Sequence, residues 1–289
     1  MKNSKPLSRR TSLLSLGSIG AAGALGAALF SRSSHAARKK ATAFALVGDR
    51  YHNSDYIRTA LGRTLVREAG LSIDFTDEVR LLDADTLEGY RMLIVFRDGM
   101  LWPDGYGAAG SYAGLTPDIE LRSEPPLPEI KSEPVLWIQP HQGKAVKDFV
   151  SKGGSAFFFH NNSHVSLSNK DYRDVEGAIY TGHPAIRLFG VCIVNREHPI
   201  TRGVNDFLVT DEQHYVTYDK DPKYVLMRSE NADGLPFGDQ GTSCEAGWAY
   251  EYGGGRVCFM APGHMISALW NPEYVKLQKN AVKWLLREI

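Results

Sequence analysis

The sequence predicts an α/β fold with a doubly wound, mostly parallel sheet in a three-layer α/β/α arrangement. Short, continuous apolar runs end in glycine or polar residues, as buried strands do. Segments with helical spacing lie between these runs, and strand, helix, strand is the opening of a doubly wound sheet. The chain has 289 residues, of which 43% are hydrophobic, so it is long enough for one large domain.

The first four elements follow this pattern. Residues 41–48 ("ATAFALVG") form an apolar run that ends in glycine and predicts a buried strand. Apolar residues recur at helical intervals over residues 54–70, which predicts a helix capped by Ser54. Residues 71–75 ("LSIDF") and 91–96 ("RMLIVF") predict the second and third strands.

An irregular insertion, rich in glycine and proline, follows at residues 98–134. Loops of this length are usually functional or mobile, so we expect Trp102, Tyr106 and Tyr112 to form walls of a site. Residues 105–110 ("GYGAAG") match the dinucleotide fingerprint G-x-G-x-x-G. Neither the strand before nor the helix after that this fingerprint needs is present, so we predict no nucleotide cofactor.

The remaining elements complete one α/β domain over residues 41–289, without an internal repeat. The predicted elements are a helix at 142–154, strands at 155–159, 190–195 and 224–229, and two strands around a glycine turn within 246–263. An amphipathic helix from residue 271 ends the chain. Its predicted inward face consists of Tyr274, Leu277, Ala281, Trp284 and Leu285. Cys192 and Cys258 lie in apolar runs and predict buried thiols, whereas a disulfide between Cys244 and Cys258 stays open.

The first 36 residues have the composition of an export signal. Arg9 and Arg10 precede an apolar run over residues 13–30, and Ser34–Ala36 ("SHA") suits a signal peptidase. "SRRTSLL" resembles a twin-arginine motif, which predicts a periplasmic protein whose only membrane contact is this segment. A retained membrane anchor is the alternative.

The charge of the remaining chain argues against nucleic acid as a partner. Five of the 33 basic residues and none of the 33 acidic ones lie in residues 1–36, which leaves a net charge of −5. Such a chain lacks the basic excess that nucleic-acid binding requires.

Three histidines follow three separate predicted strands. His52 comes after the first strand, His160 after "SAFFF" and His264 after "RVCFMAPG". Ligands of open α/β sheets bind at the carboxyl ends of the strands, so we expect these side chains to converge. Imidazoles at such a site serve as acid/base groups or as metal ligands.

The strand, turn and helix around His160 resemble a nucleophile elbow. Acyl chemistry at an elbow requires cysteine or serine, and this elbow carries histidine. The sequence therefore argues against a cysteine-dependent amidotransferase and favours acid/base or metal chemistry.

The chain resembles the ThuA-like (trehalose-utilization) family, which has a class I glutamine amidotransferase-like, flavodoxin-like fold. The resemblance covers residues 41–289 and is carried by these motifs in order: "VGDRYHN", "GGSAFFFH", "GHP", "HPITRGV", "DEQHY" and "YGGGRVCFMAPGH". The elbow departs from the family pattern G-[LIV]-H-[GA], because Phe159 and Asn161 flank His160.

The resemblance implies a protein of carbohydrate metabolism that acts on a sugar or a keto-glycoside as a hydrolase or lyase. The alternative is a non-catalytic carbohydrate-binding or accessory protein, and the oligomeric state stays open. The predicted residues are His160, Glu212 and His264 for catalysis; His52, Asn53, Asn161, His183 and Tyr215 for substrate binding; and His52, His160 and His264 for a zinc-like divalent metal.

Overall fold

The computed structural model describes residues 40–103, 124–126 and 133–289. The predicted export signal, Tyr106, Tyr112 and the "GYGAAG" segment lie outside the described residues. Within the described ranges, none of the helices has the length and apolarity needed to cross a membrane.

Helices and strands alternate in the first half of the chain, and strands dominate the second. The strands are β1 (Ala43–Val47), β2 (Ile73–Thr76), β3 (Met92–Phe96), β4 (Met100–Leu101), β5 (Val135–Leu136), β6 (Ser155–Phe159), β7 (Ala178–Gly182), β8 (Arg187–Ile193), β9 (Phe207–Asp211), β10 (Tyr215–Tyr218), β11 (Val225–Asn231), β12 (Ser243–Tyr252) and β13 (Gly255–Met260). The α-helices are α1 (Ser54–Leu61), α2 (Ala84–Leu87), α3 (Pro140–Ser151), α4 (Lys170–Glu176), α5 (Ile266–Leu269) and α6 (Pro272–Leu285). A π-helix at Gly62–Glu68 continues α1, and a 3-10 helix at His160–Leu167 follows β6.

The described residues form a nine-stranded central sheet in the order β2-β1-β3-β6-β13-β12-β11-β8-β9. The first five strands are parallel, and the next four continue antiparallel. The prediction of an α/β fold with a mostly parallel sheet is thus confirmed. Every residue of β1, β3 and β6 is buried, as expected for parallel strands covered on both faces.

The first and last helices show how well local patterns predict packing. The terminal helix α6 buries the five predicted inward residues. The predicted cap of α1 is wrong: the side chain of Asn53, not Ser54, accepts a hydrogen bond from the Asp55 N–H at 2.7 Å. Asparagine is among the strongest N-cap residues because its amide oxygen reaches the first free N–H groups.

Two small antiparallel ladders escaped prediction. β4 pairs with β5, so the two ends of the insertion lie side by side. β7 pairs with β10 in a separate two-stranded sheet. Both ladders consist of short strands without a clear alternation of apolar residues, and short strands of this kind give little signal in a sequence.

The cysteines are free thiols, so the disulfide considered for Cys244 and Cys258 is absent. Ala249 of β12 pairs with Cys258, which places Cys244 five residues further along the strand. Five residues span about 17 Å in a strand, well beyond the roughly 7 Å that a disulfide tolerates between Cα atoms. Cys258 is buried as predicted, but Cys192 is only partly buried.

Candidate functional site

His160 occupies a sharp turn at the tip of β6. Its φ of 52° lies in the left-handed region, which is unusual for a residue other than glycine. The ring is fully buried, and a Cβ at Gly263 would come within 2.6 Å of the His160 Cβ. The elbow geometry is therefore present, with a histidine at its apex and a glycine that makes room for it.

The hydrogen bonds of His160 fix the role of each ring nitrogen. Nδ1 lies 2.7 Å from the carbonyl oxygen of Ala261, and a carbonyl can only accept. Nδ1 therefore donates, and the neutral ring presents its Nε2 lone pair to the site. That Nε2 lies 3.1 Å from the Nε2 of His52.

His52 is oriented in the same way by a carboxylate. Its Nδ1 lies 2.9 Å from Asp49 Oδ1, and the amide nitrogen of Asn161 lies 2.6 Å from Asp49 Oδ2 and 2.7 Å from His52 Nδ1. Burial is the largest single effect on Asp49 and opposes its ionisation. The hydrogen bond and charge of His52, together with hydrogen bonds from the Asp98 N–H and the Asn161 amide, outweigh burial and lower the pKa of Asp49 to about 2. The charged carboxylate favours the proton on Nδ1, so His52 also presents a lone pair at Nε2.

Glu212 lies directly after β9 and brings a negative charge to these imidazoles. Its Oε2 is 3.4 Å from His160 Nε2, 3.1 Å from His264 Nδ1 and 4.0 Å from His52 Nε2. Burial alone would raise the pKa of Glu212, but hydrogen bonds with His160, His214 and His264 hold it well below its usual range.

His264 completes this group from the turn after β13. Its Nδ1 lies 3.0 Å from His52 Nε2. Hydrogen bonding to Glu212 raises the pKa of His264, whereas burial lowers that of His160. The turn is held by the buried Asp211 carboxylate, which accepts from the N–H groups of Gly263 at 2.7 Å and Met265 at 3.1 Å.

The separations among these ligand atoms fit a small cation. The candidate ligand atoms of His52, His160, Glu212 and His264 all lie within 4.8 Å of one another. Ligands bound at about 2.0–2.1 Å in a tetrahedral zinc site are about 3.3–3.4 Å apart. The observed contacts of 3.0, 3.1, 3.1 and 3.4 Å match that geometry, and the 4.0 Å contact exceeds it.

Two further imidazoles approach the same carboxylate. His214 Nε2 lies 3.3 Å and His183 Nε2 3.8 Å from Glu212 Oε2. His183 follows β7, and His214 immediately precedes β10, so both come from the small two-stranded sheet. Burial holds the pKa of His214 well below its ordinary value.

A cavity of about 500 Å³ opens onto these side chains. Besides Asn161 and four of the histidines with Glu212, it is lined by Tyr51, Asp98, Met100, His164 and Tyr180. Its volume lies in the range of small-molecule sites. Trp102, predicted as a wall, packs edge-on against Tyr51 and lines the neighbouring cavity.

Asp98 is the acidic wall of this cavity. Its Oδ1 accepts from the Met100 N–H at 2.8 Å, and its buried Oδ2 has no hydrogen-bond partner within the described residues. Burial, reinforced by the nearby Asp49 charge, raises the pKa of Asp98 to about 7. A carboxyl with that pKa is suited to exchange protons near neutral pH.

The structure brings together most, but not all, of the predicted site residues. His52, His160, His264 and Glu212 form one group, and Asn161 and His183 line the cavity with His52, His264 and Glu212. His160 is fully buried behind them. Asn53 serves as the cap of α1 and lines the neighbouring cavity instead. Tyr215 does not line the cavity: strand alternation in β10 turns it inward, where its hydroxyl donates to the Gly241 carbonyl at 3.0 Å.

Sequence reasoning missed the roles of His214, Asp98 and Asp211. His214 stands in the motif "DEQHY", two residues after Glu212, and that spacing was the available signal. Asp98 lies two residues after the third strand, and the rule that sites form at the carboxyl ends of parallel strands applies to it as well. Asp211 gave no signal of its own, because its backbone partners are distant in the sequence.

Solved structures with a similar fold include two ThuA-like proteins. One is from Bacteroides uniformis, with 13% identity, a TM-score of 0.57 and coverage of 88% of this chain and 94% of that chain. The other is from Parabacteroides merdae, with 13% identity, a TM-score of 0.58 and coverage of 86% and 90%. A β-galactosidase from Rahnella sp. R3 aligns with 13% identity and a TM-score of 0.52 over 86% of this chain, but only 31% of the enzyme. At these identities the likeness concerns the fold alone.

No curated protein matches the sequence. The sequence profile of one family, described as ThuA, trehalose utilisation, matches residues 131–285. This segment contains His160, His183, Glu212, His214 and His264, whereas His52 precedes it. Since the matched segment is more than half of the 289 residues, the chain belongs to the ThuA, trehalose utilisation, family.

Proposed function

We propose that this chain is an exported enzyme of carbohydrate metabolism that cleaves a keto-glycoside, as a hydrolase or lyase, with a divalent cation held by His52, His160, His264 and Glu212. One observation carries this proposal: two buried Nε2 atoms, of His52 and His160, face each other at 3.1 Å, while His160 Nδ1 donates to the Ala261 carbonyl and His52 Nδ1 lies 2.9 Å from the charged Asp49 carboxylate. Two neutral rings held in this way repel each other unless a cation or an added proton lies between them.

A metal ion accounts for this contact better than a proton does. An added proton would satisfy only the two nitrogens that share it, whereas His52 Nε2 also lies 3.0 Å from His264 Nδ1, and His160 Nε2 lies 3.4 Å from Glu212 Oε2. A single cation among these atoms would satisfy all four groups. Imidazoles whose other nitrogen is held by a carboxylate or a backbone carbonyl are the usual form of histidine metal ligands. A divalent cation bound here would polarise a carbonyl or hydroxyl oxygen of the substrate.

The side chains around the cavity supply the proton transfers. A carbonyl on the sugar ring makes the neighbouring C–H acidic, and Asp98 can accept that proton. Cleavage of the glycosidic bond then requires a proton on the leaving oxygen, and the protonated Asp98 carboxyl can return it there. These two proton transfers are the steps of a lyase. When water later adds to the unsaturated product, the overall reaction is that of a hydrolase.

The sugar itself is supported by the family and by the cavity. The family description is trehalose utilisation. Tyr51 and Tyr180 place aromatic rings on the cavity wall, where the apolar face of a sugar can pack, and the imidazoles and Asn161 offer partners for its hydroxyl groups.

Turnover of keto-glycosides by protein purified without a histidine tag tests the proposal. We expect activity that chelation abolishes and that added Zn²⁺ or Mn²⁺ restores. His160→Ala should lower both metal content and turnover, whereas the surface variant His141→Ala should change neither. Full activity in metal-free protein would contradict the proposal. Sugar binding without turnover would favour the non-catalytic carbohydrate-binding alternative.

The periplasmic location is part of the proposal and rests on residues 1–36. Replacing Arg9 and Arg10 with lysine should leave folded protein in the cytoplasm, because twin-arginine export reads that pair. Unchanged periplasmic delivery of the double variant, measured by fractionation, would contradict this export route.

A further inference from the structure

His183 and His214 form a second group around Glu212. Their rings are stacked, with centroids 5.0 Å apart and planes inclined by 10°. The Nε2 of each faces the same carboxylate oxygen. The ligand atoms of His183, Glu212 and His214 lie within 4.8 Å of one another, as a group distinct from the one containing His52 and His264.

The tautomer of His183 is set by its backbone. Its Nδ1 lies 2.8 Å from the carbonyl oxygen of Pro184, so Nδ1 donates and the neutral ring presents its Nε2 lone pair. This lone pair faces Glu212 Oε2 at 3.8 Å, which is too long for a hydrogen bond. Two hydrogen-bond acceptors, His183 Nε2 and Glu212 Oε2, therefore face each other. The Nε2 atoms of His52 and His160 do the same in the first group.

His214 is buried, and its polar contacts are incomplete. Its side chain is 2% exposed, and Nδ1 has no hydrogen-bond partner within the described residues. The remaining nitrogen, Nε2, points toward Glu212. The Glu212 carboxylate is therefore the one hydrogen-bond partner of this imidazole within the described residues, and a cation bound by Nε2 would take the place of that contact.

We propose that His183, His214 and Glu212 form a second divalent-cation site, adjacent to the first and sharing the Glu212 carboxylate with it. This inference rests on the proposed function for the neighbouring cation. Adjacent cations joined by a carboxylate are the arrangement of two-metal centres, which stabilise charge on two neighbouring substrate oxygens.

The donor set and its surroundings fit such a site. Two imidazoles and a carboxylate suit zinc, manganese or iron. Three protein ligands leave at least one position open, and all three residues line the cavity, so a substrate oxygen can reach that position. The rival explanation is a protonated His183 that pairs with Glu212 and leaves no second cation.

Metal stoichiometry and the electron paramagnetic resonance of bound Mn²⁺ separate these explanations. We expect two Mn²⁺ per untagged chain and an exchange-coupled spectrum, since the two ions share a ligand. His183→Ala, and the less disruptive His183→Gln, should bind one ion with an uncoupled spectrum. His141 is an exposed histidine on α3, and the control variant His141→Ala should still bind two Mn²⁺ ions with a coupled spectrum.

Each other outcome overturns the second site. One ion per wild-type chain, with keto-glycoside turnover intact, overturns the second site alone and leaves the proposed function standing. No ion overturns both. Two coupled ions in folded His183→Ala and His183→Gln, with melting temperatures near that of the wild type, would remove His183 from the site and overturn the assignment.

Discussion

The two halves of the central sheet contribute to the site in different ways. The parallel half supplies His52, His160 and His264, each at or shortly after the carboxyl end of a strand. The antiparallel half and the small β7-β10 sheet supply Glu212, His183 and His214 from connecting segments.

This difference shows that the rule placing sites at the carboxyl ends of strands applies to the parallel half of the sheet only. Parallel strands share a direction, so their carboxyl ends meet at one edge and the residues there converge by necessity. Antiparallel strands alternate in direction, so a residue after one of them can lie at either edge. The contribution of β9 is fixed instead by Asp211, whose carboxylate binds the turn that carries His264.

Glu212→Gln should have the largest effect, because Glu212 is the group that both halves share. The amide removes the negative charge that faces five imidazoles, and losing a cation that polarises the substrate costs several kcal/mol, or about 10³-fold in turnover or more. Steady-state kinetics and elemental analysis measure the change. Glu230→Gln, at an exposed position on β11, is the control. Normal metal content and turnover in Glu212→Gln would show that Glu212 neither holds the cation nor supports catalysis.

Asp98→Asn should have the next largest effect and act only on the parallel side. Loss of a general acid or base typically costs about 10²–10⁴-fold in turnover, and the metal content should not change. The rate of the wild type should rise with pH through an inflection at or below about pH 7, because the carboxyl must be ionised to accept a proton. The variant should lack this inflection, whereas exposed Asp85→Asn should retain it. An unaltered pH profile in Asp98→Asn would assign the proton transfer elsewhere.

Glu176→Gln should have the smallest effect, on stability rather than on chemistry. Glu176 ends α4 just before β7, is fully buried, and accepts from the Ser166 hydroxyl at 2.6 Å. Burial raises its pKa from 4.5 to about 8. The native state therefore holds a proton that the unfolded state releases between these values, and stability falls as the pH rises through that window.

The stability lost over this window is about 3–5 kcal/mol, at about 1.4 kcal/mol for each unit of pKa. Urea unfolding at pH 4.5 and pH 8 should show this loss in the wild type and in the exposed Glu197→Gln control. Glu176→Gln should not show it. Equal pH dependence in all three proteins would mean that Glu176 does not hold its proton in the native state.

The sequence predicts the features that depend on local pattern or on a general rule of topology. The buried runs of β1, β3 and β6, the inward face of α6 and the three strand-tip histidines are of this kind. It did not predict the β7-β10 sheet, and with it the position of His214, because the pairing joins residues more than thirty positions apart. Tyr215 was misplaced for the same reason, since its inward direction depends on that pairing.

The central claim is that buried imidazoles of the parallel half and a carboxylate of the antiparallel half hold one cation between them. Anomalous diffraction at the metal absorption edge, on crystals of untagged protein grown with Zn²⁺, tests it directly. The account predicts a peak about 2.0–2.1 Å from the Nε2 atoms of His52 and His160, with Glu212 also bound. An empty position between these two nitrogens, in protein that still turns over a keto-glycoside, would contradict it.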